Sequence, residues 1–358
     1  MKIIVLLAGM TRGGIDLLQS LFDKHSQISQ FPGKFYVDDF LKKTSSEKNP
    51  ENISNIFLRE YPEYFNSKLN IIEKHNKLGK NKDESYCIDK NIFIKKFKDL
   101  SRDQILTNKE IIINLHLAYS AASGENIDKK KLIILQIHHF FRIESISDLD
   151  FDIICTIRDP LASHSSYIKN LSIFRSDYIN PWQYNYHMER NFTHLIKLCN
   201  LNKKVNVIKL ERLHKKNYEV MNKICQIYEL NFENTLQMST FHGKLWWGDQ
   251  VSKKDLNGIN KNFTSNIDLN IFYKNDIEII EYYLENFIRS YNYPFKGKQK
   301  KNLFFKKFFP LKADVIIITQ SLKKLSFKNL LLSLYYFFKR TKYMNKKILD
   351  EFEYPKDI

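Results

Sequence analysis

The chain has 358 residues, 43% of them hydrophobic and 14% aromatic, enough to bury one large core or a core with an appendage. Its formal charge of +17 is uneven: residues 296–358 hold 16 Lys and Arg against 5 Asp and Glu, leaving a net of +6 on residues 1–295, and lysine is abundant throughout, so the charge does not argue for a nucleic-acid partner. Cys87, Cys155, Cys199 and Cys225 form no CxxC pair, which sets aside a disulfide framework or a zinc site and makes a reducing compartment, the cytoplasm, the default.

The opening "MKIIVLLAGM" has an apolar stretch over residues 3–8 that runs into Arg-Gly-Gly with no small-residue cleavage site. It reads as a buried first strand rather than a signal peptide. Residues 35–130 are polar and helix-like, with "NKEIIINLHLAYSAASG" the clearest helix. Such an insertion is expected to sit over the strand ends, where an acceptor would be gripped. Three more apolar runs read as strands: "LIILQIH" (132–138), "DIICTIR" (152–158) and "VNVIKLE" (205–211). A helical stretch beginning "PWQYNYHMERN" precedes the last of them. "NDIEIIEYYLENFIRSYNYPF" (275–295) reads as a closing helix, ended by Asn-Tyr-Pro. Strands alternating with helices predict an α/β fold, a central parallel sheet with helices on both faces.

After Phe295 the composition shifts. Residues 296–347 carry 15 basic residues and one acidic residue, Asp314, among bulky apolar ones. Two readings stand for this C-terminal extension (296–358). It is a basic helical appendage packed on the core of the domain formed by 1–295, or it lies on an anionic membrane surface. Against the second, its apolar residues taken together show no clean single face. No run reaches the roughly 18 apolar residues that span a bilayer.

Two strand ends carry chemistry. The first runs into "GMTRGGIDLLQS", a Gly-rich turn leading into a helix. Backbone N–H groups and a helix N-terminus then face one point, Gly13 and Gly14 let the backbone approach, and Arg12 adds a planar donor fork. The Lys-Ser/Thr ending of a nucleotide-hydrolysing loop is absent, which argues against a Mg²⁺-dependent kinase. The third strand ends in "CTIRDPLASHSSYIKN", with Arg158 followed eight residues later by Ser166.

That second stretch resembles the 3′-phosphate motif of sulfotransferases that use 3′-phosphoadenosine 5′-phosphosulfate (PAPS), where the strand-end Arg and the later Ser hold the 3′-phosphate. The opening loop is similar to that family's 5′-phosphosulfate loop, and "LFDKHSQI" to its continuation. "VNVIKLERLHKKNYEV" is similar to the family's late strand and helix. "GKLWWGDQ" (243–250) looks like its Arg-Lys-Gly-x-x-Gly-Asp segment, with Lys244 on the family's Lys. The resemblance covers residues 1–295. It implies a P-loop-like sulfotransferase fold, of the branch acting on carbohydrates or tyrosyl proteins, with PAPS as donor, PAP as product and no metal. It assigns Arg12, Gly13, Gly14, Ile15, Asp16 and Leu17 to the phosphosulfate, and Arg158, Ser166 and Lys244 to the 3′-phosphate. The implied acceptor is a saccharide or glycolipid hydroxyl, or an amine.

The acceptor needs a base. Some members place a Glu after the 5′ loop, but "SQISQFPGKF" has no carboxylate, and Asp38 and Asp39 come only later. Other members use a His at the end of the strand before the 3′ motif. His139 and His138 lie 19 and 20 residues before Arg158, and an imidazole with pKa about 6.5 suits a neutral-pH base. On a strand only one of the pair would face the site. Ile15 and Asp16 depart from the family's paired Thr. Asp16 is expected to cap the helix, to turn outward or to bind the acceptor. A rival from another class is a non-catalytic, membrane-associated nucleotide-binding protein with a degenerate loop.

Overall fold

The structure is a computed structural model that describes residues 1–102, 106–174, 180–250, 258–263, 265, 267–297, 304–323 and 327–358. Parts of the basic extension, 298–303 and 324–326, lie outside the described residues.

Strands β1 (Lys2–Ala8), β2 (Ile28–Gln30), β3 (Leu132–Gln136), β4 (Phe151–Ile157) and β5 (Val205–Lys209) form one parallel sheet in the order β2-β3-β1-β4-β5. Ile4 of β1 pairs with Ile134 and Leu6 with Gln136, while Ile28 of β2 pairs with Leu132. Ile3 to Leu7 and Phe151 to Ile157 are buried without alternation, as strands covered on both faces must be. The α/β architecture expected from the sequence is present. β2 escapes the sequence reading because three residues, Ile-Ser-Gln, make no apolar run. β3 stops at Gln136 rather than at residue 138: Ile137 N still donates to Leu6 O at 3.0 Å, and His139 then becomes the N-cap of the helix Phe140–Glu144.

The chain divides into two compact units. The first comprises Met1–Leu7, Gly14–Ile154 and Arg212–Asn262. It holds α1 (Ile15–Leu21), the helices of the 35–130 segment and the short hairpin Thr240–Phe241 with Lys244–Leu245. Several of the segment's helices start on side-chain caps. Asp89 accepts from Asn91 N (2.7 Å) and Ile92 N (3.2 Å), and Thr107 accepts from Glu110 N. They close around an aromatic cluster in which Phe31 meets Phe57 at 4.9 Å and stacks on Tyr64 at 5.3 Å between centroids. Phe65 and Phe93, 5.0 Å apart and fully buried, extend it. Offset and edge contacts of this kind add to plain burial.

The second unit comprises Ala8–Gly13, Cys155–Glu211 and Phe263–Ile358. It holds α2 (Pro160–Phe174), α3 (Pro181–Cys199), α4 (Lys312–Lys323) and α5 (Phe327–Tyr343). α3 starts with Asn180 accepting from Trp182 N at 2.9 Å and Pro181 in the first turn. Within the basic extension one buried ion pair joins α4 to α5. Arg340, 1% exposed, lies 3.3 Å from Asp314, 5% exposed. The same guanidinium donates to Lys307 O and Phe309 O at 3.1 and 3.0 Å. The single carboxylate of residues 296–347 is therefore spent internally.

Removing one partner of a buried pair leaves the other charge uncompensated. Arg340→Ala is expected to lower stability by about 3–5 kcal/mol, read as a shift of the urea midpoint.

Candidate functional site

In the second unit the β1 loop and the β4 end meet. Gly9 N donates to Thr156 O at 2.8 Å, holding the loop against β4. A Cβ on Gly9 would meet Cys155 Sγ at 2.6 Å, and one on Gly13 would meet Met10 O at 2.9 Å and Thr156 O at 3.1 Å. No side chain fits at either position. Arg12 (φ 58°) and Gly14 (φ 83°) take left-handed conformations, and Gly13 between them does not. Alternation of this kind turns successive N–H groups to one side, a concavity that suits an anion. Arg12, a non-glycine residue in that region, is held there by the surrounding structure.

Thr11 ties the loop to α3. Its backbone N and its hydroxyl both donate to Asn191 Oδ1, at 3.0 and 3.1 Å. Its carbonyl accepts from Ser163 Oγ of α2 at 2.6 Å. His187 Nδ1 lies 2.8 Å from the Thr11 hydroxyl, and His187 Nε2 lies 2.9 Å from His164 Nδ1. With the Thr11 proton given to Asn191, the order that satisfies every atom has His164 donating to His187 and His187 donating to Thr11. Both rings are then neutral. Burial holds His187 well below the ordinary histidine value and pulls His164 down to about 3. Nothing local signals this chain of hydrogen bonds beyond the i, i+4 spacing of His187 and Asn191 on one helix.

Arg-Asp-Pro divides its labour. Asp159 Oδ1 accepts from Ala162 N at 3.0 Å, capping α2, and Pro160 takes the first helical position. Asp159 N donates to Glu211 Oε1 at 3.1 Å, and the other oxygen of Glu211 accepts from Tyr293 OH at 3.1 Å. Arg158 Nη1 donates to Arg12 O at 3.4 Å, and its buried Nε has no hydrogen-bond partner among the described residues. Burial lowers the guanidinium pKa, Glu211 and Asp159 oppose that, and Arg12 adds to it. Ser166 stands one turn beyond Ser163, on the stripe of α2 that meets the loop. Its neighbour Ser165 instead accepts from Asp268 N at 3.0 Å. Arg12, Gly13 and Arg158 thus belong to one cluster, and Ser166 lies on the helix that follows Arg158.

The remaining expected residues lie in the first unit. Gly14 is the N-cap of α1 and offers no side-chain cap. Ile15 is buried, so its side chain packs and only its backbone is offered; Leu17 is half-buried. Asp16 does not cap α1. Its Oδ1 accepts from Gln136 Nε2 at the end of β3. Burial alone would lower the pKa of Lys34; Asp16, then Glu73 with Nζ–Oε1 at 3.4 Å, outweigh it and raise the value. Burial in turn pushes the Glu73 carboxyl up against the pull of Lys34. Sequence reasoning missed Lys34, Glu73 and Gln136, which carry no motif.

His138 and His139 are half-buried, their rings 5.0 Å apart and nearly perpendicular, with His139 stacked on Phe141 at 5.3 Å. They stand in the turn after β3, so strand alternation does not decide between them. Asp38 and Asp39 both accept from Arg142 Nη1, at 2.5 and 2.8 Å. Lys244 pairs with Glu84 at 2.5 Å.

No family model and no curated protein matches the chain. Among solved structures it is similar to the sulfotransferase domain from the curacin biosynthetic pathway, at 15% identity and TM-score 0.39, covering 75% of this chain and 87% of that one. It is also similar to the sulfotransferase domain from the Synechococcus PCC 7002 olefin synthase, at 14% identity and TM-score 0.38, covering 74% and 84%.

His164 and His187 are neutral when folded and titrate near pH 6.5 when unfolded. The unfolded chain binds more protons below that pH, so their contribution is intact above about pH 6.5 and is lost as pH falls, by about 1.4 kcal/mol per unit for each ring kept neutral. Urea unfolding at pH 7.5 and 5.5 is expected to give a steep loss of stability in the native chain, and a shallower one in His187→Asn, which removes one titrating ring.

Proposed function

We propose that this chain is a sulfotransferase that moves a sulfuryl group from PAPS to a hydroxyl or amine. The observation that carries the reading is the half-buried Arg158, whose buried Nε–H is unpartnered among the described residues and whose Nη1 donates to the carbonyl of Arg12. A partly desolvated cation with an unused buried donor calls for an anion. The glycine-tight loop with alternating backbone handedness supplies a second anion seat on the same cluster. Two seats suit a nucleotide that carries a 3′-phosphate and a 5′-phosphosulfate.

When bound, PAPS supplies the sulfuryl group by in-line displacement, with charge gathering on its bridging oxygen. In this reading Arg12 and the backbone of Gly13–Leu17 hold that charge, and fixed donors do so without reorganising. Arg158 and Ser166, with Lys244 released from Glu84, hold the 3′-phosphate. His138 or His139 takes the acceptor proton on a ring nitrogen. Asp38 and Asp39 are the weaker candidates, since both are occupied by Arg142. The proposed acceptor is a saccharide or glycolipid hydroxyl.

Calorimetric titration with PAP tests the donor site. Arg158→Ala is expected to weaken binding by about 2–4 kcal/mol, roughly 30- to 700-fold, the usual cost of deleting one member of a buried charged contact. Arg158→Lys is expected to recover part of that. Unchanged PAP affinity in Arg158→Ala would remove the 3′-phosphate assignment.

Transfer from [³⁵S]PAPS to glycan and lipid acceptors tests the base. One of His138→Ala and His139→Ala is expected to lower kcat by roughly 10²–10⁴-fold with PAP affinity kept. Full turnover in both would move the role to a carboxylate.

A further inference from the structure

The C-terminal extension presents a feature that the proposed reaction does not use. One side of α5 is fixed to the body of its unit: Ser333 Oγ meets Ser321 Oγ of α4 at 3.1 Å, and Tyr343 OH donates to Glu189 Oε2 of α3 at 3.3 Å. The other side is apolar and exposed. Phe327 is 73% exposed, Leu331 50%, Tyr335 57% and Phe338 59%. Leu334 is exposed as well. At 3.6 residues per turn these five fall on a stripe about 100° wide. The whole extension shows no single face because the 3₁₀ turn Phe304–Phe308, α4 and α5 are mixed in it; α5 alone does. Three phenylalanines just before α4, Phe305, Phe308 and Phe309, are exposed too.

The charges around the stripe have one sign. Lys328 and Lys342 are exposed and Lys339 half-exposed; helical spacing sets Lys328 and Lys339 along one flank of the stripe and Lys342 at its C-terminal end. The one carboxylate of residues 296–347, Asp314, is buried beside Arg340. A basic flank beside a convex row of Phe, Leu and Tyr matches a negatively charged bilayer interface, where rings and leucines enter the headgroup boundary and lysine stems reach back to phosphate. A second copy would bring two positive faces together. Among the described residues no helix is long and apolar enough to cross a membrane, so the contact is interfacial.

We infer that the exposed face of α5 is a docking surface for an anionic membrane, with Phe327, Leu331, Leu334, Tyr335 and Phe338 inserted and Lys328, Lys339 and Lys342 on the lipid phosphates. It stands apart from the sulfuryl-transfer reading, and neither depends on the other. Flotation of the full chain with vesicles tests it. Binding is expected to vesicles of phosphatidylcholine with 30% phosphatidylserine, to be at least tenfold weaker on phosphatidylcholine alone, and to fall with salt. Phe327→Ser/Leu331→Ser/Phe338→Ser is expected to lose at least tenfold in binding while keeping the melting temperature, since the side chains replaced are exposed. Lys328→Glu/Lys342→Glu, a variant without the apolar change, is expected to lose binding to the anionic vesicles. Absence of native binding to anionic vesicles would overturn the inference. So would undiminished binding by either variant, or self-association of the native chain that the triple serine variant abolishes.

Discussion

The loop after β1 has no spare room, and the site depends on that. Gly9 and Gly13 lie so close to Cys155, Thr156 and Met10 that a single methyl group at either would collide. Gly9 N is bonded to Thr156 O, and Thr11 is fixed through its N–H, carbonyl and hydroxyl. Buried hydrogen bonds contribute modestly one by one, but breaking one leaves a desolvated group unpaired. The loop therefore has one conformation available, with Arg12 held at positive φ. A backbone fixed before ligand arrives loses little entropy on binding. The buried His164–His187 pair, neutral at these lowered pKa values, adds hydrogen bonds that hold Thr11 and so the loop.

Arg158 is the expensive element. Each neighbour that would satisfy it is used elsewhere. Asp159 caps α2, and Glu211 accepts from Asp159 N, Ser265 Oγ and Tyr293 OH. Arg12, which also approaches it, is a second cation and disfavours its charge. Two guanidinium groups in one place, one with an unused buried N–H, are a poor arrangement for stability alone. They are a good one for binding a multiply charged anion, whose arrival removes both penalties at once. Local conflict of this kind is where functional sites depart from what stability would select.

The sheet was legible because its strands are buried on both faces and leave continuous apolar runs, as in "IIVLLA" and "DIICTI". The turn after β4 was legible because its spacing is local: Arg158 and the Asp159–Pro160 helix start follow the strand directly. The partners of Thr11 were not, since Asn191 is 180 residues away and joins it only in the fold. Lys34, Glu73 and Gln136 were hidden for the same reason. His138 and His139 were expected at a strand end and stand beyond it. β3 ends two residues sooner because His139 starts a new helix. The stripe on α5 was obscured by pooling elements, since amphipathicity belongs to one helix axis at a time.

Asp16 is the residue that a reading by similarity finds hardest, a carboxylate where a phosphate-facing hydroxyl is expected. Its surroundings lessen the difficulty. Gln136 donates to it, and the attraction of Asp16 is the largest of those, with Glu73 next, that together outweigh the burial of Lys34. Two unit charges 4 Å apart interact by about 4 kcal/mol at an effective dielectric of 20. An unpaired Asp16 would oppose an incoming anion on that scale, and Lys34 offsets it. Lys34 is shared with Glu73, whose carboxyl pKa burial raises, so one cation offsets part of the negative charge of this group. Asp16 is thus better described as a partner of Lys34 and Gln136 than as a damaged phosphate ligand, and in the proposed reading the anion would be held by the backbone and Arg12.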